Sequence, residues 1–476
     1  MSKFLFTLLP SNDLGVVTRA LPIATSLRSN GHKIVFSVHS KVPSKLISEE
    51  RFVNIPLRTY LDNLAIKIRK NGGLVKFIRY TGLRESYSVI RKCIINNFKL
   101  LPKKFITSTP DVHNMEHFFI LNGMINKNYI IFMVESLMQV MKETEVDFVV
   151  DFWNPYAVIA AKALNIPVIT INQFDVHPSA NGFIWWKNIS PKFKSVLPIL
   201  NKILANYNLS KISKIEELTI GDLTLTLGMP NKNEINPDTG INHIGFLVYK
   251  KKGMILPKNI VKLGKDKPVV WVYSGNPRYA GIKTDFDSEI LLDLCINTLA
   301  KENINIVLTT GYHSIPKKYL PLPKNILFFD FVDGLLMAEK ADIVIHHGGY
   351  GSCQTALITG TPSLIIPTFS ERESNARRIA KLGVGEYVLP TKKKFLKRKI
   401  INKNEFIEKF NRVLKDDSYK RNSQKISEEL SIFNAENKGL KLIEKFVEEY
   451  KVKNNYSQAQ KIRFIEKYTR NLKLVQ

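Results

Sequence analysis

The residues best suited to chemistry fall in one run, His346-His347-Gly348-Gly349-Tyr350-Gly351-Ser352. An apolar stretch from Ile343 to Ile345 leads into it, and a helix-like segment from Cys353 to Thr359 follows at once. Strand, glycine-rich turn and helix in that order build an anion site. Glycines let the backbone come close to a ligand, and a helix start presents unpaired N–H groups at the positive end of its dipole. The chemistry expected here is the grip of a phosphate. A second unit follows: Pro362 to Pro367 reads as strand and turn, leading to Ser370-Glu371-Arg372-Glu373-Ser374-Asn375-Ala376, then Arg378 and Gly383-Val384-Gly385.

These residues need a scaffold of alternating strands and helices, and the chain supplies one. Lys3 to Leu9 reads as a strand, Thr18 to Ser29 as a helix stopped by Gly31, and Lys33 to Val38 as the next strand. Residues 45–140 are less regular and helix-rich. Asp147 to Asp151, the helix after Pro155, Pro167 to Ile171 and Leu223 to Leu227 restore the β-α-β rhythm. Residues 228–242 are rich in Pro, Asn and Gly and read as a junction. Strands are expected again near 268–273, 304–309, 326–329, 342–346, 363–366 and 386–389, and beyond about 403 the chain reads as helical. Such alternation favours parallel sheets, and 476 residues suit two domains rather than one core.

The 45 residues from 341 to 385 resemble the donor-binding signature of the nucleotide-sugar glycosyltransferases of the GT-B fold, family 1 in particular. That signature reads His-Gly-Gly-x-Gly-Ser/Thr, Ala-Leu, Gly-x-Pro, Pro, an acidic residue followed by Gln, and Asn-Ala. The resemblance implies an α/β protein of two Rossmann-like doubly wound domains facing across a cleft, with C-terminal helices crossing back. The expected division is 1–235 for the acceptor, 243–417 for the donor, and 418–476 for bracing helices and a basic tail. Residues near 418–450 should brace the two halves. The resemblance also places His347 against the donor diphosphate, with Gly349, Gly351 and Ser352 supplying backbone N–H groups and a hydroxyl and Gly348 among the donor-binding residues. By strand alternation His346 then points the other way. Ser274 and Gly275 in Ser274-Gly275-Asn276 match the first loop of the donor domain. Glu371 sits where the family hydrogen-bonds sugar hydroxyls, an arrangement that discriminates epimers because a misplaced hydroxyl leaves the carboxylate unpaired. Asn375 and Arg378 are expected to serve helix packing and capping.

The chain departs from the pattern at three points. Arg372 replaces Gln; a guanidinium only donates and prefers anions, so it could meet a uronate, reach the diphosphate, or pair with Glu371 or Glu373. Thr355, with Gln354 beside it, stands where the family has a ribose-binding Glu. Leu14-Gly15-Val16 through Arg19, with Gly31-His32, resembles the family's opening, but Val16 occupies the place of the loop histidine that activates the acceptor. Valine cannot take a proton. Asp13 on the same loop is the first candidate for the base, since a partly buried carboxylate can deprotonate an attacking hydroxyl. Asp151, Asp175, His177 and the Asp111–His113 pair are the others. His32 reads as structural. Asp285-Phe286-Asp287 spells a triplet that holds a metal in another glycosyltransferase fold, but before a helix it reads as an N-cap. No metal and no cofactor is expected beyond the nucleotide sugar itself.

Net charge is +28, from 70 basic and 42 acidic residues. Between Lys67 and Lys104, eleven Lys or Arg face one acid, Glu85, with apolar residues interleaved. Further basic-apolar stretches run from Trp185-Trp186-Lys187 to Lys202, from Lys392 to Lys399, and from Lys451. One reading is a solvated surface. The other is peripheral attachment to an anionic membrane, at about 1 kcal/mol per basic residue near the headgroups, with a lipid or other hydrophobic acceptor. Nucleic acid is excluded, as no recognition motif accompanies the charge. Three cysteines without paired spacing suit a reducing, cytoplasmic compartment, on the inner face if membrane-bound. The expected activity is an inverting, metal-independent transfer from a nucleotide diphosphate sugar, UDP-linked by family resemblance, to an acceptor hydroxyl. The alternatives are a non-catalytic nucleotide-sugar-binding protein and a same-fold epimerase.

Overall fold

Short runs of β-branched and aromatic residues set the strands, and most are buried on both faces, as parallel sheets require. The computed structural model describes residues 1–11, 14–57, 68, 74, 76, 78, 83, 86–92, 112–121, 126–188, 194–228, 241–251, 253–275, 289–392, 399–432 and 434–473. The first sheet has the order β3-β2-β1-β4-β5-β6-β7. Its strands are β1 Lys3–Leu8, β2 Lys33–Ser37, β3 Val53–Asn54, β4 Phe148–Phe152, β5 Val168–Gln173, β6 Leu223–Leu227 and β7 Asn242–Gly245, and all pair in parallel. Alternation splits β1 between two cores: Phe4, Phe6 and Leu8 enter one and Leu5 the other.

The second sheet, also parallel, has the order β10-β9-β8-β11-β12-β13. Its strands are β8 Val269–Tyr273, β9 Asn305–Thr309, β10 Ile326–Phe329, β11 Ile343–His346, β12 Ser363–Ile365 and β13 Gly385–Tyr387. In both sheets the strand order reverses beside the first strand, between β1 and β4 and between β8 and β11. At such a switch point neighbouring loops leave in opposite directions and open a crevice beyond the strands' carboxyl ends. The fold thus holds two crevices, and the candidate residues sit at their mouths.

One expected boundary needs correction. β7 pairs with β6, so residues 242–245 belong to the first sheet and not to a second domain beginning at 243. Within 418–450 two helices pack on different domains. Helix Asp417–Ser431 packs on the second domain, where Ser427 Oγ donates to the Ile358 carbonyl at 2.5 Å and Asn422 Nδ2 to that of Gly383 at 3.1 Å. Helix Ala435–Lys473 returns to the first domain. There Ser26 Oγ donates to Glu436, Asn30 Nδ2 donates to Glu444 at 3.1 Å, and His32 Nε2 meets the same carboxylate at 3.1 Å. Gly439 permits the approach: a Cβ on it would stand 2.9 Å from Ile23 Cδ1.

Candidate active site

A cavity of about 260 Å³ lies between the two domains, at the carboxyl ends of β1, β8 and β11. The glycine turn forms its floor. His347 is nine-tenths buried, boxed between two glycines: a Cβ on Gly275 would stand 3.1 Å from its Cε1, and one on Gly349 2.6 Å from its Nε2. The Tyr273 ring stands 5.8 Å away. Burial drives the His347 pKa well below the usual histidine value, with the Arg372 charge and His346 adding to the effect and a backbone hydrogen bond with Tyr273 opposing it. The ring is therefore neutral, and its Nδ1 has no partner among the described residues.

His346 has a different task. It is fully buried, its Nδ1 accepts from the Gly348 N–H at 3.1 Å, and its Nε2 lies 3.3 Å from Ser363 Oγ. Accepting at Nδ1 fixes the tautomer with the proton on Nε2, and burial pushes the pKa down to about 3. The same bond changes the part given to Gly348. Its N–H is taken by His346 and its carbonyl by Asn375 Nδ2 at 2.9 Å, so Gly348 shapes the turn, at φ +85°, instead of offering a donor to a ligand. Gly349 caps helix Tyr350–Thr359, whose first turn leaves the N–H groups of Tyr350 and Gly351 without intrahelical partners. The Ser352 N–H turns to the Gly349 carbonyl at 3.0 Å.

Of the other sequence candidates, Gly275, Gly349, Gly351, Ser352, Thr355, Glu371 and Arg372 line the cavity with His347. Ser274 and Gln354 do not. Ser274 is fully buried with its hydroxyl on the Gly275 carbonyl at 3.0 Å, and Gln354 lies under the floor beside a smaller cavity of about 50 Å³. Thr355 Oγ1 donates back to the Gly351 carbonyl at 3.0 Å. Arg372 Nη1 donates to Thr368 Oγ1 at 2.7 Å and its guanidinium covers the Phe369 ring at 4.8 Å, while Glu373 takes Arg377. Glu371 receives Asn375 Nδ2 at 2.9 Å; burial raises its pKa, and Arg372 and Asn375 hold it down. Asn375 thus ties the glycine turn to Glu371.

Asp13, Asn276, Asp111 and Asp285–Asp287 lie outside the described residues. Val16 is buried on the cavity wall. The remaining candidate bases stand away from the cavity. His113 stacks on His117 at 5.4 Å, and His177 Nδ1 meets Ser179 Oγ at 2.6 Å. Asp175 is held by Arg378, whose Nη1 and Nη2 donate to it at 2.8 and 2.6 Å across the domain boundary. Asp151 lies beneath the β1–β4 switch point, accepting from Thr7 Oγ1 at 2.6 Å and from the Asn154 N–H at 3.0 Å. Burial lifts its pKa to about 7, against the hydrogen bonds.

The folded value of Asp151 exceeds the unfolded one, so the native state holds this proton more tightly between about pH 4 and 7. The group's contribution to stability therefore falls as pH rises through that window, by at most about 1.4 kcal/mol per pH unit. Asp151→Asn should gain on the wild type by about 2 kcal/mol between pH 5 and pH 8. Urea unfolding at the two pH values checks this; a constant difference would count against it.

Several cavity residues were not read from the sequence as site residues. Phe118, Trp153 and Phe183 form an aromatic wall on the first domain, with Trp153 6.2 Å from both rings. Trp153 has φ +64°, a strained conformation for a bulky residue, and its N–H is held by Asn172 Oδ1 at 3.0 Å. Arg19 and Gln173 complete the wall. Their signal was position: Trp153 and Gln173 sit at the carboxyl ends of β4 and β5. Trp185 and Trp186, read as acceptor- or membrane-facing, meet the second domain instead. Trp185 Nε1 donates to Ser374 Oγ at 2.9 Å and Trp186 lies under the Arg377 guanidinium at 4.6 Å.

Residues 293–437 match the family described as the C-terminal domain of erythromycin biosynthesis protein CIII-like. The chain is 24% identical to the NDP-glycosyltransferase YjiC of Bacillus subtilis (strain 168), over 53% of its own length and 62% of that relative's. It is 33% identical to the demethyllactenocin mycarosyltransferase of Streptomyces fradiae over 20% of its length and 21% of the relative's. Thus the chain spans less than two thirds of these curated relatives. Among solved structures, the calicheamicin glycosyltransferase CalG4 superposes with a TM-score of 0.63 at 15% identity, covering 94% of this chain and 98% of that one. The glycosyltransferase VinC in complex with dTDP gives 0.58 at 16%, covering 93% and 98%. Two facing Rossmann-like domains with a crossing C-terminal helix define the GT-B fold. The chain has that fold, and its residues 293–437 carry the domain these glycosyltransferase relatives share.

Proposed function

We propose that this chain transfers a sugar from a nucleotide diphosphate sugar to an acceptor hydroxyl by a single inverting displacement. The observation that carries the reading is the neutral, boxed His347 beside a glycine turn and helix start, on the floor of a cleft between two domains. The acceptor oxygen attacks the anomeric carbon, the bond to the diphosphate breaks, and the diphosphate leaves with the electron pair. Its charge falls on the Tyr350 and Gly351 N–H groups, Ser352 and His347 without a cation, and fixed donors of this kind are commonly the largest catalytic contribution. Asp13 takes the acceptor's proton. The wall of Phe118, Trp153 and Phe183 supports a hydrophobic acceptor, lipid or natural product, and the basic stretches support attachment to an anionic membrane on the cytoplasmic face. Among the described residues no helix is long and apolar enough to cross a membrane.

The nucleotide has two readings. UDP follows from family resemblance. A thymidine diphosphate donor is favoured by Thr355, whose hydroxyl is committed to Gly351 at the family's ribose position, where a carboxylate would hold a diol. Nucleotide diphosphate release from UDP- and dTDP-sugars, with a panel of hydrophobic acceptors and with or without anionic vesicles, tests both. Release that Asp13→Asn suppresses supports transfer with Asp13 as base. Tight donor binding without turnover in any combination would show a binding protein instead.

A further inference from the structure

Helix Ser370–Lys381 presents Glu371, Ser374, Asn375 and Arg378 on one stripe, at spacings of three and four residues. Three of the four face the first domain: Glu371 lies beside Gln173, Ser374 takes Trp185, and Arg378 takes Asp175. Gln173 and Asp175 flank the carboxyl end of β5, two residues apart. The donor-domain helix that carries the sugar-facing carboxylate is therefore docked onto the end of an acceptor-domain strand.

At that seam Gln173 is 1% exposed and lines the cavity, and its Nε2 has no partner at hydrogen-bonding distance. Its orientation is set by Arg19, whose Nη1 points at Gln173 Oε1 at 3.4 Å. A guanidinium only donates, so the oxygen must face it and the amide N–H₂ must face elsewhere. Arg19 is itself fixed by Nε donating to the Gly15 carbonyl at 2.8 Å and by the Tyr350 ring at 5.5 Å. The Gln173 amide is near enough to Glu371 to favour that carboxylate's charged form. Asn375 occupies only Oε1 of Glu371.

We propose that Gln173 is a sugar-specificity residue contributed by the acceptor domain, donating from Nε2 to the same donor-sugar hydroxyl that Glu371 accepts from. A hydroxyl is both donor and acceptor, so this pair satisfies it on both sides; an epimer with that hydroxyl elsewhere leaves two buried groups unpaired. The Asp175–Arg378 pair sets the spacing of the two elements and acts as a positioning contact. The inference rests on the donor-binding reading above and adds the residue that completes the sugar subsite.

Calorimetric titration of the full chain tests it, comparing UDP- and dTDP-glucose, the matching galactose epimers, and bare UDP and dTDP. The wild type should prefer one epimer at least tenfold. Gln173→Met, which keeps the length and removes the donor, should lose most of that preference while bare-nucleotide affinity stays within twofold. Gln173→Glu, with an acceptor in the donor's place, should lose at least as much. Unchanged preference in both variants overturns the inference, as does a parallel loss of bare-nucleotide affinity, or a wild type indifferent to the epimer. A wild type that binds nucleotides but gains nothing from any sugar fails here only. One that binds neither class fails the donor-binding reading itself.

Discussion

His347→Ala is expected to lower donor turnover by 10²- to 10³-fold, the loss typical when one fixed donor to a developing anion is removed. Two features of the site argue for an effect of this size. The ring cannot relax, because Gly275 and Gly349 leave no room for a methyl group beside it. It is also desolvated, so its hydrogen bond to a leaving phosphate is not diluted by water. His347→Asn, which keeps a donor on a shorter side chain, should recover part of the loss. Since the ring is neutral well below the usual histidine range, the wild-type rate should show no break near pH 6.5 from this group. Single-turnover rates from pH 5 to 9 for the wild type and both variants check each point. A fall of less than fivefold in His347→Ala would remove His347 from the mechanism.

Asp175→Ala should destabilise the protein by about 3–5 kcal/mol, because it leaves the Arg378 guanidinium buried without its counter-charge. The Asp175 side chain is 3% exposed and that of Arg378 18%, so solvent offers little relief. Replacing both partners, as in Asp175→Leu with Arg378→Met, should cost much less than the single change, since no charge is then left unpaired. Urea unfolding followed separately by fluorescence and circular dichroism measures the difference. If the single and double variants lose equally, the pair contributes through packing and not through charge.

The chemistry-bearing half of the site was open to sequence reading because it is local. Strand, glycine turn and helix follow one another within residues 343–359, and a short-range pattern carries its own geometry. Contacts across the cleft carry no such signal. Arg378 reads as a helix-packing residue because nothing near it in sequence names Asp175, 203 positions away. Trp185 and Trp186 look like surface aromatics until helix Ser370–Lys381 arrives to cover them. Gly348 and Ser274 were misread for a related reason. A glycine or serine in a phosphate-type turn can shape the loop or touch the ligand, and only the hydrogen bonds of His346 and Gly275 decide which. The β7 boundary was hidden because a junction rich in Pro and Gly can precede the last strand of one sheet as easily as the first of another.

The return of helix Ala435–Lys473 to helix Val17–Ser29 imposes an order on how the protein is made. Ser26 and Glu436 lie 410 residues apart. At ribosomal speeds of about 5–20 residues per second, the first helix waits roughly 20–80 s for its cover. Throughout that interval the face of Ile23 that Gly439 will close over lacks this cover. The second sheet and its helices are synthesised in full before the first domain receives this cover. A holdase that binds apolar helices should therefore compete for this face until the residues beyond 435 have left the ribosome, and a ribosome stalled before residue 435 should present the first domain without its covering helix.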